Sequence, residues 1–242
     1  MGQIATSSRI HTMMKSNPES IKWNRCFILY SLFAFILILL SACASARYER
    51  YPEPHYGIAS WYGSDFHGNP TSSGEPFNMY ALTCAHKIYP FGTRLKVTSI
   101  SNKKTVICLV NDRGPFVKGR DIDLSYAAAK EIGLIGMGVG EVWIEYLGRD
   151  TNYVKEVKYL SDVGTVTIQV GSFREFTNAE RLQKALELKY TNVYVMEAEI
   201  DGDRYYRVRI GKFSDRDEVH DFAIVLADEG YDVLITHYDE EI

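Results

Sequence analysis

The sequence predicts a mainly β domain followed by a smaller α+β domain, and three features carry that prediction. Between Tyr56 and Gly148, short β-type runs alternate with Gly, Pro and Asn turns around a single helical stretch. From Gly164 to Ile242 the chain repeats itself at an offset of 40 residues. Ahead of both lies one apolar run, flanked by basic residues, that no acidic residue interrupts. With 242 residues there is material for one to two domains. At 46% hydrophobic, 24% charged and 13% aromatic the chain is neither disordered nor a multi-span membrane protein. A net charge of −4 provides no general cationic field to collect nucleic acid.

The first element is the N-terminal run. Lys15, Lys22 and Arg25 precede Cys26 to Leu40. At about fifteen residues the run is short for a hydrocarbon core of about 30 Å, but it suits the apolar region of a secretory signal. An uncleaved anchor would need a longer run. Directly behind it, Leu40-Ser41-Ala42-Cys43 resembles the lipobox of bacterial lipoproteins. That resemblance implies cleavage before Cys43 and acylation of its sulfur, with palmitate as a typical chain. Ala44, in place of an acidic residue, implies sorting to the outer membrane, facing the periplasm. Residues 1–42 are therefore expected to be a signal peptide, and 43–55, with two prolines and no period, a lipidated tether. Cys26 leaves with the signal. Cys84 and Cys108 remain as an even pair in an oxidising compartment, where a disulfide and two buried thiols both fit.

In the first domain, residues 56–148, strands are expected over Gly57–Tyr62, Arg94–Ser99, Thr105–Val110 and Val142–Tyr146. A helix is expected over Tyr126–Ile132 with Ser125 as its N-cap. Short strands at close spacing with one small helix predict a compact β-barrel. Residues 149–163 read as a linker. In the second domain, 164–242, Ile168–Phe173 aligns with Val208–Phe213, and Asn192–Val195 with Asp232–Ile235. Helical patterns, Asn178–Lys189 and Asp217–Glu229, lie between the matched ends. With an Asp201-Gly202 hairpin signal joining the halves, the order βαββαβ predicts a four-stranded antiparallel sheet backed by two helices.

Four runs of the first domain bear the chemistry: Ala59-Ser60-Trp61-Tyr62-Gly63; Phe66-His67-Gly68 with Thr71 to Phe77; Ala85-His86-Lys87 with Pro90-Phe91-Gly92-Thr93; and Val110 to Phe116 leading to Asp121-Ile122-Asp123-Leu124-Ser125. Together they resemble the rare lipoprotein A (RlpA) family of double-psi β-barrel proteins. The resemblance implies a groove for peptidoglycan glycan, lytic transglycosylase activity and catalytic residues at Glu75, His86 and Asp112. Taken singly, each has a bland reading: a turn aspartate, a solvated glutamate, a structural histidine. Asp112 ends an apolar strand before an Arg-Gly-Pro turn, so its carboxyl is expected at a barrel rim, where a general acid belongs. Glu75 is expected beside it, raising its proton affinity, and His86 is expected to orient one of the two by a hydrogen bond. Trp61, Tyr62, Phe66 and Phe116 can stack on sugar faces, with Trp61 and Tyr62 expected on opposite sides of their strand. His67 and His86 lack the spacing of a zinc site, and neither metal nor cofactor is expected.

The second domain resembles the SPOR repeat domain at Gln169, Gly171, Phe173, Asn178, Ala179 and Leu182. That implies binding of glycan strands denuded of stem peptides on the open sheet face, where strand alternation is expected to place Gln169, Ser172, Arg207 and Arg209. Nine basic against 17 acidic residues over 164–242 argue against an RNA-binding sheet, which needs a basic face and paired aromatics. The resulting expectation is an outer-membrane lipoprotein that cleaves the MurNAc-GlcNAc bond of naked strands at the division septum, leaving anhydromuramic ends. Its rivals are a non-catalytic peptidoglycan-binding lipoprotein and a hydrolase of the same bond. No protein partner is implied.

Overall fold

A computed structural model describes residues 53–161 and 164–239. The expected signal segment, the expected lipobox with Cys43 and most of the expected tether lie outside the described residues.

Six strands close a barrel: β1 (His55–Trp61), β2 (Thr83–His86), β3 (Thr93–Ser99), β4 (Thr105–Asp112), β5 (Ile122–Leu124) and β6 (Val139–Arg149), in the order β1-β5-β2-β4-β3-β6. The β1–β5 and β2–β4 pairs are parallel, and β6 closes the barrel antiparallel to both β1 and β3. The alternation that made β3 and β4 legible is physical. Leu95, Val97, Val106, Cys108 and Val110 fill the interior while Arg94, Lys96 and Ile107 face outward. Strands β2 and β5 escaped the sequence reading because every residue in them is buried, so they show no alternation. One helix, α1 (Tyr126–Glu131), packs on the barrel, and the Ser125 hydroxyl accepts the Ala128 N–H as the expected N-cap.

The second sheet corrects the expected strand count. Its order is β7-β11-β8-β10-β9, from β7 (Val157–Tyr159), β8 (Val166–Phe173), β9 (Val193–Ile200), β10 (Asp203–Phe213) and β11 (Val233–His237). The four repeat strands are antiparallel as expected, but β7, drawn from the supposed linker, adds a fifth in parallel with β11. The β9–β10 hairpin turns through Asp201 and Gly202, both with positive φ, the backbone a tight hairpin requires. Helices α2 (Phe176–Glu187) and α3 (Arg216–Asp228) bury Ala179, Leu182, Ala185, Leu186 and Val219, Ala223, Leu226, Ala227 against one face of this sheet.

Barrel and sheet share a buried seam. Arg113, only 2% exposed, leaves the end of β4, donates from Nε to the Tyr231 hydroxyl (2.7 Å) and from Nη1 to the Tyr89 carbonyl (2.9 Å), and lies 3.7 Å over the Phe91 ring. Phe91 N–H donates to the Glu229 carbonyl and Lys155 N–H to the Ala227 carbonyl, which anchor the C-terminal end of α3. Gly230, at φ 95°, packs so closely that a Cβ there would lie 2.9 Å from the Tyr153 carbonyl oxygen and 3.0 Å from Phe91 Cβ.

The Cys84–Cys108 bridge, one of the two arrangements the sequence left open, is corrected as well. Both are free, fully buried thiols inside the barrel, and burial pushes the Cys84 thiol well up.

Candidate functional site

The end of β4 builds the site. Strand β2 pairs Cys84 with Val110 and then Ala85 with Asp112, so Asn111 is bulged out of register. A bulge bends its strand and redirects the side chains that follow. Here it leaves Asp112, 4% exposed, on the floor of a groove of about 330 Å³. Its Oδ1 accepts two backbone N–H groups, from Ser72 and Arg113, each at 2.8 Å. Its Oδ2 lies 3.7 Å from Nη1 of Arg181, a residue of α2. One carboxyl oxygen is thus held by two backbone N–H groups, and the carboxyl borders the groove.

Around Asp112 the groove is lined by Trp61, Tyr62, Phe66, Phe77 and Phe116, by the cis Gly114–Pro115 peptide, and by Arg120, Asp123 and Arg181. The four aromatic residues expected from the sequence therefore come together around the expected acid. The predicted split between Trp61 and Tyr62 does not occur. Strand β1 ends at Trp61, so alternation no longer governs Tyr62, and both rings line the groove. Trp61 stacks edge-on against Tyr126, and Tyr62 against Phe77 at 4.7 Å. The Tyr62 hydroxyl is buried without a hydrogen-bond partner among the described residues. Burial first, and then the negative charge of Asp112, hold its pKa well above the ordinary tyrosine value, so it stays a neutral donor.

Glu75 is not a groove residue. It is exposed, and its carboxylate accepts from Asn111 Nδ2 (3.0 Å) and from the Tyr153 hydroxyl (2.8 Å). What Glu75 does for Asp112 runs through the backbone. The Thr71 N–H and hydroxyl both bind the Glu75 carbonyl, bracing the turn that offers the Ser72 N–H to Asp112.

His86 departs from its expected role for a related reason. Its Nδ1 accepts the N–H groups of Ile88 and Tyr89 (3.3 and 3.2 Å), so that nitrogen orients no carboxylate. Burial, and then the Arg113 charge, lower its pKa to about 3, which keeps the ring neutral at physiological pH.

The sequence reading did not name Asp123 as a site residue, although it stood in the quoted run Asp121 to Ser125. Asp123 lines the groove, accepts a hydrogen bond from the Ser60 hydroxyl and lies 3.8 Å from Arg120. Burial raises its pKa above the usual carboxylate value, against the pull of Ser60. Arg181 was missed because it arrives from the other domain, which no local motif can signal.

On the second sheet, β10 pairs Arg207 with Ser172 and Arg209 with Gln169, and a register shift between Val208 and Arg209 puts all four on one face despite the odd spacing of Gln169 and Ser172. Arg209 is corrected as a contact residue. It is 1% exposed, with its Nη1 3.1 Å from Asp239 Oδ2 and 3.3 Å from the Met196 sulfur. Gln169 and Ser172 line a second cleft, of about 390 Å³, together with Pro70, Ser72, Ser73 and Gly74 of the barrel. Pro70 borders both clefts.

Comparison with known proteins agrees with this division. A family model described as lytic transglycolase matches residues 55–144, and a SPOR domain model matches residues 162–236. The chain is 37% identical over 187 residues to a Campylobacter jejuni protein named endolytic peptidoglycan transglycosylase RlpA, covering 69% of this chain and 66% of that one. It is 37% identical over 176 residues to the Vibrio cholerae protein of the same name, covering 73% and 66%. A Synechocystis protein named "Probable endolytic peptidoglycan transglycosylase RlpA" is 56% identical over 89 residues, or 37% of this chain and 28% of that one. The matched region spans about two thirds or less of the length of these relatives.

Proposed function

The chain belongs to the RlpA family, and on that premise we propose that it is an endolytic peptidoglycan transglycosylase that cleaves the MurNAc-GlcNAc bond of glycan strands lacking stem peptides. The observation that carries this reading is Asp112: a buried carboxyl with one oxygen held by two backbone N–H groups and the other facing an aromatic-walled groove.

In the proposed reaction a sugar ring lies against the aromatic walls of the groove, near Phe66 and Phe116. Protonated Asp112 gives its proton to the glycosidic oxygen as the C1–O bond breaks, and the GlcNAc leaves with a free hydroxyl. The carboxylate so formed then takes the proton of the C6 hydroxyl, whose oxygen closes on C1 to give the 1,6-anhydro ring. Asp112 ends the cycle protonated, and no water is consumed. Tyr62, held neutral, offers an O–H donor near the reacting oxygens, and Glu75 and His86 fix the loops that present the Ser72 and Arg113 N–H groups. The SPOR match at residues 162–236 supports enrichment at the division septum, where naked strands accumulate. Leu40-Ser41-Ala42-Cys43 supports a lipid anchor in the outer membrane.

Asp123 is the observation that favours the hydrolase as the second reading, because a water-adding glycosidase needs a second carboxyl in the groove. Digestion of purified sacculi tests the catalytic reading. The full chain should release soluble glycan fragments, and Asp112→Asn, which keeps the Oδ1 acceptor and hence the fold, should reduce release by about 10²–10⁴-fold. A folded wild-type chain that binds sacculi and releases nothing would leave a binding protein in its place.

A further inference from the structure

The guanidinium of Arg181 enters the groove from α2, a helix of the C-terminal domain. It lies 5.3 Å over the Phe66 ring and 3.7 Å from Asp112 Oδ2, with its side chain 28% exposed. That separation makes an ion pair but not a hydrogen bond, so its N–H donors are not consumed by Asp112. Two other cations line the groove: Arg113, 2% exposed, is held by Tyr231 and Tyr89, and Arg120, whose buried Nε has no hydrogen-bond partner among the described residues, faces the carboxylate of Asp123, 3.8 Å away, rather than that of Asp112. Arg181 is therefore a half-satisfied cation at the mouth of an aromatic groove, beside the acid, contributed by a different domain.

Resting on the glycan-cleavage reading above, we propose that Arg181 is a specificity-determining residue, which pairs with the lactyl carboxylate of a muramoyl sugar whose stem peptide has been removed. The chemistry of the strand supplies the match. A stem peptide occupies that carboxyl as a neutral amide, and only its removal exposes a negative charge. The lactyl ether stands on C3 of the sugar whose C1–O bond breaks, within one ring of the acid. A planar guanidinium binds a carboxylate through two parallel hydrogen bonds, a geometry an amide cannot match. The C-terminal domain would thus do more than concentrate the enzyme: it would supply the group that reads whether the bound strand is naked.

The test uses the full chain and its Arg181→Gln and Arg181→Lys variants on three substrates: intact sacculi, sacculi stripped by an amidase, and stripped sacculi whose lactyl carboxylates have been converted to neutral amides. The wild type should cleave stripped strands with kcat/KM about tenfold above amidated ones, the worth of one charge-assisted contact. Arg181→Gln should erase that difference by raising KM on stripped strands alone, and Arg181→Lys should restore part of it. A folded Arg181→Gln chain that keeps the wild-type ratio, or that speeds cleavage of all three alike, overturns the proposal. If the wild type cleaves nothing, the transglycosylase reading fails separately. Arg181 is then judged by NMR titration with the GlcNAc-MurNAc disaccharide, which lacks the scissile bond. Tighter binding of the free acid than of its amide, lost in Arg181→Gln, supports the pairing, and equal binding overturns it.

Discussion

The buried hydroxyl of Tyr62 has no partner among the described residues and lies beside Asp112, and an unmet buried polar group costs about 1–3 kcal/mol. Tyr62→Phe should therefore leave the fold as stable or about 1 kcal/mol more stable by urea unfolding, while lowering kcat by about tenfold or more. A loss of stability with unchanged kcat would place the hydroxyl outside the reaction. His86 makes a prediction about pH. Its folded pKa of about 3 lies below the ordinary histidine value of 6.5, so the unfolded chain binds the extra proton between those limits. Stability is thus fully present above pH 6.5 and is lost as pH falls toward 3, by about 1.4 kcal/mol per unit for this one group. His86→Gln should flatten the unfolding free energy between pH 6 and 5 by about that slope, and an unchanged slope would contradict the assignment. The sequence pointed to Asp112 and the four aromatic residues because strand end, turn and motif coincide there. It could not show that Nδ1 of His86 is taken by two backbone N–H groups, or that Glu75 turns toward Asn111 and Tyr153.

Elements were legible wherever one face is wet. The strands β3, β4 and β6, both long helices and the Asp201-Gly202 hairpin all announce themselves by period or turn chemistry. Fully buried β2 and β5 do not, and β7 has only three residues and forms because β11 offers an edge. The Ser125 cap is a local device with a measurable value. Its Oγ accepts the Ala128 N–H and donates to the Ala81 carbonyl, so Ser125→Ala should cost about 1–2 kcal/mol in urea unfolding, and a change below about 0.3 kcal/mol would deny the cap its role. Gly230 ends α3 at a backbone angle other residues resist, in a space too small for a Cβ. Gly230→Ala should destabilise by about 1–3 kcal/mol and loosen the seam around Phe91, seen as faster amide exchange at Phe91 and Tyr231.

At the scale of the molecule, the barrel and the SPOR sheet are not independent beads. Arg113 spans the seam from the residue after the proposed acid, so docking and catalysis share one strand end. Tyr231→Phe removes a hydrogen bond to a buried guanidinium and should cost about 1.5–3 kcal/mol, with one cooperative unfolding transition giving way to two if the seam is what couples the domains. This seam was invisible in the sequence because its partners, Arg113 with Tyr231 and Asp112 with Arg181, are far apart in the chain and belong to separate motifs. The central claim, that Asp112 serves as both acid and base without water, is tested most directly by mass analysis of sacculus digests made in ¹⁸O-labelled water. The account predicts 1,6-anhydromuramic ends carrying no label. Ordinary reducing MurNAc ends carrying solvent oxygen would contradict it and transfer the second step to a water activated by Asp123.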